Sequence, residues 1–116
     1  MRIATALALA LAAPNAAFGF AELDRAEPRV GATVAAPPSV LTLDFSEDVE
    51  HEGSSAQVRD RGGARVDRDM RIDPRLHHRM IVRLKPLAPG EYTVVWRARS
   101  HDGDDTQGRF VFTVGR

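Results

Sequence analysis

Over residues 92–99 and 110–114 the side chains fall into two alternating sets, one of them apolar throughout. Tyr92, Val94, Trp96 and Ala98 interleave with Thr93, Val95, Arg97 and Arg99; Phe110, Phe112 and Val114 interleave with Val111 and Thr113. A period of two belongs to a strand with two distinct faces. The pattern predicts two strands flanking an acidic loop, Ser100 to Gly108. The same alternation over Val40–Phe45 places Leu41, Leu43 and Phe45 inside and Thr42 and Asp44 outside. Further strands are expected around Ala21–Glu27 and over Arg79–Leu84. Ala56 and Val58 read as one arm of a hairpin and Ala64 and Val66 as the other. Its turn is Asp60-Arg61-Gly62-Gly63, where glycine supplies positive φ.

Pro28, Gly31 and Pro37-Pro38 predict an irregular stretch, and Pro86 to Gly90 a turn. The segment 67–80, DRDMRIDPRLHHRM, is arginine-rich and poorly patterned. It reads as an exposed connection with a short strand near Met70–Ile72 and a turn at Asp73-Pro74. No helical period occurs. About seven short strands with regularly spaced turns predict an all-β fold, an immunoglobulin-like two-sheet β-sandwich. Leu87-x-x-Gly90-x-Tyr92 has the spacing of a tyrosine corner, and Trp96, in phase with Val94 and Ala98, is expected between the sheets.

The N-terminus changes the picture. Met1-Arg2 gives a positive start, Ile3 to Ala13 is an apolar run too short to span a bilayer, and Ala17-Phe18-Gly19 places small residues at a cleavage site. Residues 1–19 are therefore expected to be a signal peptide and residues 20–116 the mature domain, beginning at Phe20. A cut after Ala17 would instead bury the Phe20 amine in a peptide bond. The mature domain carries no further long apolar run, so no membrane span is expected in it. With 16 basic and 16 acidic residues, fewer by Arg2 after cleavage, it offers no electrostatic reason to bind nucleic acid. It contains no cysteine, which excludes disulfides, thiolate metal sites and cysteine nucleophiles. Any metal must be held by His, carboxylate, Met or backbone. No serine sits in a recognisable nucleophile setting, and His101-Asp102 is adjacency rather than a triad, so an enzyme is not expected.

The 92–114 run resembles the CopC family of periplasmic copper-binding proteins, whose pattern YxVxWxxxSxDGHxxxGxFxFxV it matches at almost every position. Ala21-Glu22-Leu23 resembles the family's mature start, His-Ala-x-Leu, and Leu43-x-Phe45-Ser46-Glu47-x-Val49 its LxFSExV strand. Pro28-x-x-Gly31 and Ala36-Pro37-Pro38-x-Val40 are similar to the segment between them. The resemblance implies a monomeric periplasmic copper carrier or buffer in copper homeostasis or resistance. It also implies a partner of the CopD type, an inner-membrane copper transporter. It implies a copper(II) site built from the N-terminal His and from the Asp and His of the DGH triplet.

Two of those three side chains are replaced. The first position is Phe20, which offers only a terminal amine, and the triplet is Asp102-Gly103-Asp104. Cu(II) favours nitrogen donors, and oxygen at Asp104 is a weaker choice, so a weakened or altered site is expected. Asp102 is the first candidate ligand, followed by Asp104, the Phe20 amine, His101 and His51. His101 would point away from Asp102 if the chain there were extended. Cu(II) is favoured over Cu(I), because Met70 and Met80 stand apart with no methionine-rich run. Two other readings stay open. The carboxylates of Asp102, Asp104 and Asp105 suit a hard cation such as calcium, or they solvate the loop and pair with Arg97, Arg99 or Arg109. If copper is not bound, the fold would serve as an interaction module for a membrane partner.

Overall fold

The computed structural model describes residues 20–116, so the expected signal peptide and its cleavage site lie outside the described residues. Eight strands follow one another: β1 (Leu23–Glu27), β2 (Thr33–Val34), β3 (Val40–Phe45), β4 (Ser55–Arg59), β5 (Asp67–Ile72), β6 (Arg79–Leu84), β7 (Gly90–Arg99) and β8 (Asp105–Val114). They form two four-stranded sheets, ordered β1-β3-β6-β5 and β2-β8-β7-β4. Among the described residues no helix is long and apolar enough to cross a membrane.

The sheets close on the residues that the alternation marks. Leu41, Leu43 and Phe45 of β3 are buried, as are Val94, Trp96 and Ala98 of β7 and Phe110, Phe112 and Val114 of β8. Met80, Val82 and Leu84 add the inner face of β6. Phe45 meets Trp96 edge to face at 5.2 Å between ring centroids, a preferred arrangement for an aromatic pair that bridges two sheets. The tyrosine corner is present: the Tyr92 hydroxyl donates to the Ala88 carbonyl at 2.5 Å.

The structure departs from the sequence reading in four places. The stretch after Pro28 holds a two-residue strand, β2, which pairs in parallel with the end of β8. Thr113 N–H donates to Ala32 O and Gly115 N–H to Val34 O, so the open edge of β8 recruits it.

Residues 67–72 form a full strand rather than a loop with a short strand in it. β5 lies at a sheet edge, so its outward positions carry charge and only Met70 and Ile72 pack against the core. That is how an edge strand hides from a hydrophobicity pattern.

The Asp60–Ala64 turn forms, with Asp60 N–H donating to Ala64 O and Val66 N–H to Val58 O. The chain then leaves the expected hairpin, crosses to the other sheet and pairs with β6.

The acidic loop is shorter than expected. Asp105 to Gly108 continue β8, in register from Arg99↔Asp105 to Trp96↔Gly108. The Arg99 guanidinium holds Asp105 across the strands through two hydrogen bonds, of 2.9 and 3.1 Å.

Candidate metal site at one end of the sandwich

Three segments meet where β3 ends and the β7–β8 turn begins. The first is the chain entering β1. Ala21 is fully buried, and its carbonyl accepts the Thr106 hydroxyl at 2.6 Å. Glu22 N–H donates to Ser46 Oγ at 2.9 Å, and Ser46 N–H returns a bond to Glu22 O. Phe20 is half-exposed just outside this clamp, its carbonyl 3.4 Å from Ser46 Oγ. Its position is thus tied both to the end of β3 and to β8, two residues beyond Asp104.

The second segment is the turn Ser100–Asp104. Ser100 is buried and organises it: Ser100 N–H donates to Asp104 O, Gly103 N–H to Ser100 O, and Asp104 N–H to Ser100 Oγ at 3.2 Å. Gly103 has φ 91°, a conformation that favours glycine. The turn leaves Asp102 exposed and Asp104 half-buried. His101 lies in the turn rather than in a strand, so strict alternation with Asp102 does not apply.

The third segment is Ser46–His51. His101 N–H donates to Asp48 O, Glu50 N–H donates to Arg99 O, and Val49 bridges Ser100. These contacts lay the loop beside the turn and bring Glu50 Oε2 to 2.9 Å from His101 Nδ1. The hydrogen bond and charge of Glu50 raise the His101 pKa. His51 is exposed one residue further on, and Ser54 N–H donates to its carbonyl. Arg99 packs over Gly53 at the end of the same loop, where an added Cβ would lie 2.8 Å from Nε. All four histidines border this end, since Val49 N–H donates to His77 O and Phe45 N–H to His78 O.

Of the three loop carboxylates, Asp105 is committed to arginine. The hydrogen bond from Arg99 holds its pKa below the usual range, and Arg97 approaches to 3.7 Å. That leaves Asp102 and Asp104, too few for the oxygen-rich shell calcium prefers. Met80 is buried in the core, with Met70 packed against it, so neither offers its sulfur to this end. Among the described residues no three His, Asp or Glu side chains gather in a form that could hold a metal ion. The donor set suits Cu(II) only in part: carboxylate at Asp102, carboxylate in place of imidazole at Asp104, and one imidazole at His101. Sequence reasoning missed Glu50 and Thr106. Each works through a partner distant in sequence and carries no motif of its own.

An immunoglobulin-like sandwich with a clamped chain start beside an Asp-Gly turn defines a class with known relatives. The chain belongs to the CopC family: the CopC domain matches residues 23–115. It is 31% identical over 116 residues to Protein YobA of Escherichia coli strain K12, covering 98% of this chain and 94% of that protein. It is also 30% identical over 105 residues to the copper transport protein CutJ of Bacillus subtilis; this is 89% of the chain but only 19% of CutJ. The chain thus spans about a fifth of that relative's length. Among solved structures, CopC from Methylosinus trichosporium OB3b superposes with a TM-score of 0.77 at 30% identity, covering 82% of this chain and 93% of that one. The methionine-rich copper resistance protein PcoC from Escherichia coli superposes with a TM-score of 0.73 at 28% identity, covering 82% and 98%.

Proposed function

We propose that this is an exported, periplasmic copper-binding protein, a carrier or buffer in copper homeostasis or resistance rather than an enzyme. Its cargo is Cu(II), held at the end of the sandwich by Asp102 with Asp104, the Phe20 amine and His101, more weakly than in a family site with two further imidazoles. The observation that carries this reading is the Thr106–Ala21 hydrogen bond. It ties the start of the mature chain to the strand leaving the Asp102 turn, so an amine at Phe20 and the Asp102 carboxylate belong to one end of the molecule.

The test is a Cu(II) titration of processed protein whose start at Phe20 is confirmed by intact mass. Phe20→His with Asp104→His rebuilds the nitrogen set that the family resemblance implies. Cu(II) favours those nitrogens, so affinity should rise by several orders of magnitude, each tenfold step being about 1.4 kcal/mol. An Asp102→Ala control should bind less than wild type. Wild-type affinity already equal to that of the double variant would move the site to other ligands.

The absence of a preformed three-ligand cluster among the described residues favours a second reading. In it the domain no longer takes copper and serves as an accessory module for a CopD-type inner-membrane transporter. The match of this small domain to a fraction of a longer copper transport protein supports such an association. No Cu(II) binding even by the double variant would favour it.

A further inference from the structure

We propose that the end of the sandwich opposite the Asp102 turn binds a small organic acid, a carboxylate carried on an apolar body, whether or not copper is bound at the other end. β3 and β5 begin there and β6 ends there, since Val40 faces Arg83 and Asp67 faces Leu84. A cavity of about 420 Å³ opens between the Pro37–Ser39 segment and the turn that follows β6, a volume within the range of small-molecule sites. Leu84 and Leu87, both buried in the core, line its floor, and Pro37 and Pro86 line its sides. Leu84 N–H donates to Ser39 O at 2.9 Å, which ties one side to the floor. Proline fixes its own φ, so the cavity is shaped before a ligand arrives.

The cations decide the ligand. Arg68 and Lys85 line the same cavity, and both are exposed, at its mouth rather than its floor. No carboxylate lines it. The neighbouring carboxylates are committed elsewhere: Asp67 accepts Arg65 through both oxygens and the Val58 amide as well, and Asp69 accepts Arg83 through both of its own. Arg68 forms no ion pair among the described residues, and Lys85 Nζ reaches only the Arg65 carbonyl, at 3.5 Å. A register shift between Asp67 and Asp69 marks Arg68 as the bulged residue of β5. A bulge leaves one residue outside the ladder and re-aims its side chain, here to the cavity. Two cations at the mouth complement one carboxylate head through charge-assisted hydrogen bonds. An apolar body leaves water by settling on Leu84, Leu87 and the prolines. A bare inorganic anion would leave the floor unused, and a neutral apolar molecule would leave the cations unused.

Titration of the processed protein with octanoate, followed by amide NMR shifts, tests this. 1-Octanol, which has the chain without the charge, and acetate, which has the charge without the chain, are the controls. Octanoate should give saturable shifts at Arg68, Leu84, Lys85 and Leu87 and leave the Asp102 turn unmoved. Each control should bind at least about tenfold more weakly, the worth of one hydrogen bond to a charged group or of about two buried methylenes. R68Q and K85Q should each weaken octanoate about tenfold with an unchanged melting temperature, whereas Asp102→Ala should leave its affinity as in wild type. Absence of saturable shifts at millimolar octanoate overturns the proposal. So does octanol binding as tightly as octanoate, or octanoate affinity that survives both R68Q and K85Q. None of these outcomes touches the copper reading, which the Cu(II) titration decides separately.

Discussion

The Asp67 carboxylate accepts the backbone N–H of Val58 at 2.9 Å, joining the edge strands of the two sheets. Val58 sits on β4, the edge strand of its sheet among the described residues, and its carbonyl takes the Val66 N–H where the chain turns away. Asp67 is the first residue of β5 in the opposite sheet. Its side chain is only 5% exposed and also receives Arg65 through both oxygens. One carboxylate thus closes the seam where the expected hairpin breaks and the sandwich begins. Asp67→Ala would leave the Val58 N–H without a partner at that seam. A loss of about 1–3 kcal/mol follows for an unsatisfied buried donor, measured by urea denaturation. Asp67→Asn keeps an acceptor and should cost less.

Acid stability follows from the same carboxylates. Burial pushes the Asp67 carboxyl up, but hydrogen bonds from Arg65 and the Val58 amide together outweigh it and hold the pKa below its ordinary value. Asp44 is lowered too, chiefly by its hydrogen bonds from Arg79 at 2.7 and 3.0 Å. A depressed folded-state pKa gives stability that is present above the unfolded value, about 3.9, and is lost as pH falls through the folded value. Melting temperature should therefore fall below about pH 4, and less steeply in Asp67→Asn.

His101 titrates with the opposite sign. Its folded pKa is raised by the hydrogen bond and charge of Glu50, so its pairing is complete below the unfolded value and is lost as pH rises through the folded one. The pair is exposed, so the readout is the imidazole itself. Its NMR midpoint should lie above that of an unperturbed histidine and drop in Glu50→Gln.

Gly108 is glycine because Trp96 occupies the space where a side chain would go. An added Cβ would lie 2.6 Å from Cζ2 and 2.8 Å from Cε2 of the indole. The indole cannot retreat freely, since Phe45 packs against it and it is only 8% exposed. Gly108→Ala should cost about 1–3 kcal/mol by overpacking. Trp96 is the sole tryptophan, so a shifted emission maximum should accompany the lower melting temperature.

Leu43→Ala or Phe112→Ala should each cost about 2–5 kcal/mol through lost burial and the cavity left behind. Both side chains are fully buried. Tyr92→Phe removes only the bond to the Ala88 carbonyl and should cost about 1 kcal/mol. An unchanged denaturation curve for Leu43→Ala would place the inner face elsewhere.

The sequence by itself determined the inner faces of β3, β7 and β8, the limits of β6 and the tyrosine corner. Each follows from local alternation or turn chemistry, and each needs only a hydrophobic face to bury. It also displayed Asp102, Asp104 and His101 in one short turn. Tertiary structure alone decided what depends on contacts between distant segments. β5 became a full strand because the edge of β6 was open to a charged partner, and no core pattern marks such a strand. The acidic loop shortened because Arg99 meets Asp105 across the ladder. Ala21 is tied to β8 by Thr106 and Phe20 to the end of β3 by Ser46, and Glu50 reaches His101 from 51 residues away. A pairing at that separation leaves no periodicity in the chain; the fold creates it by bringing two backbones into register.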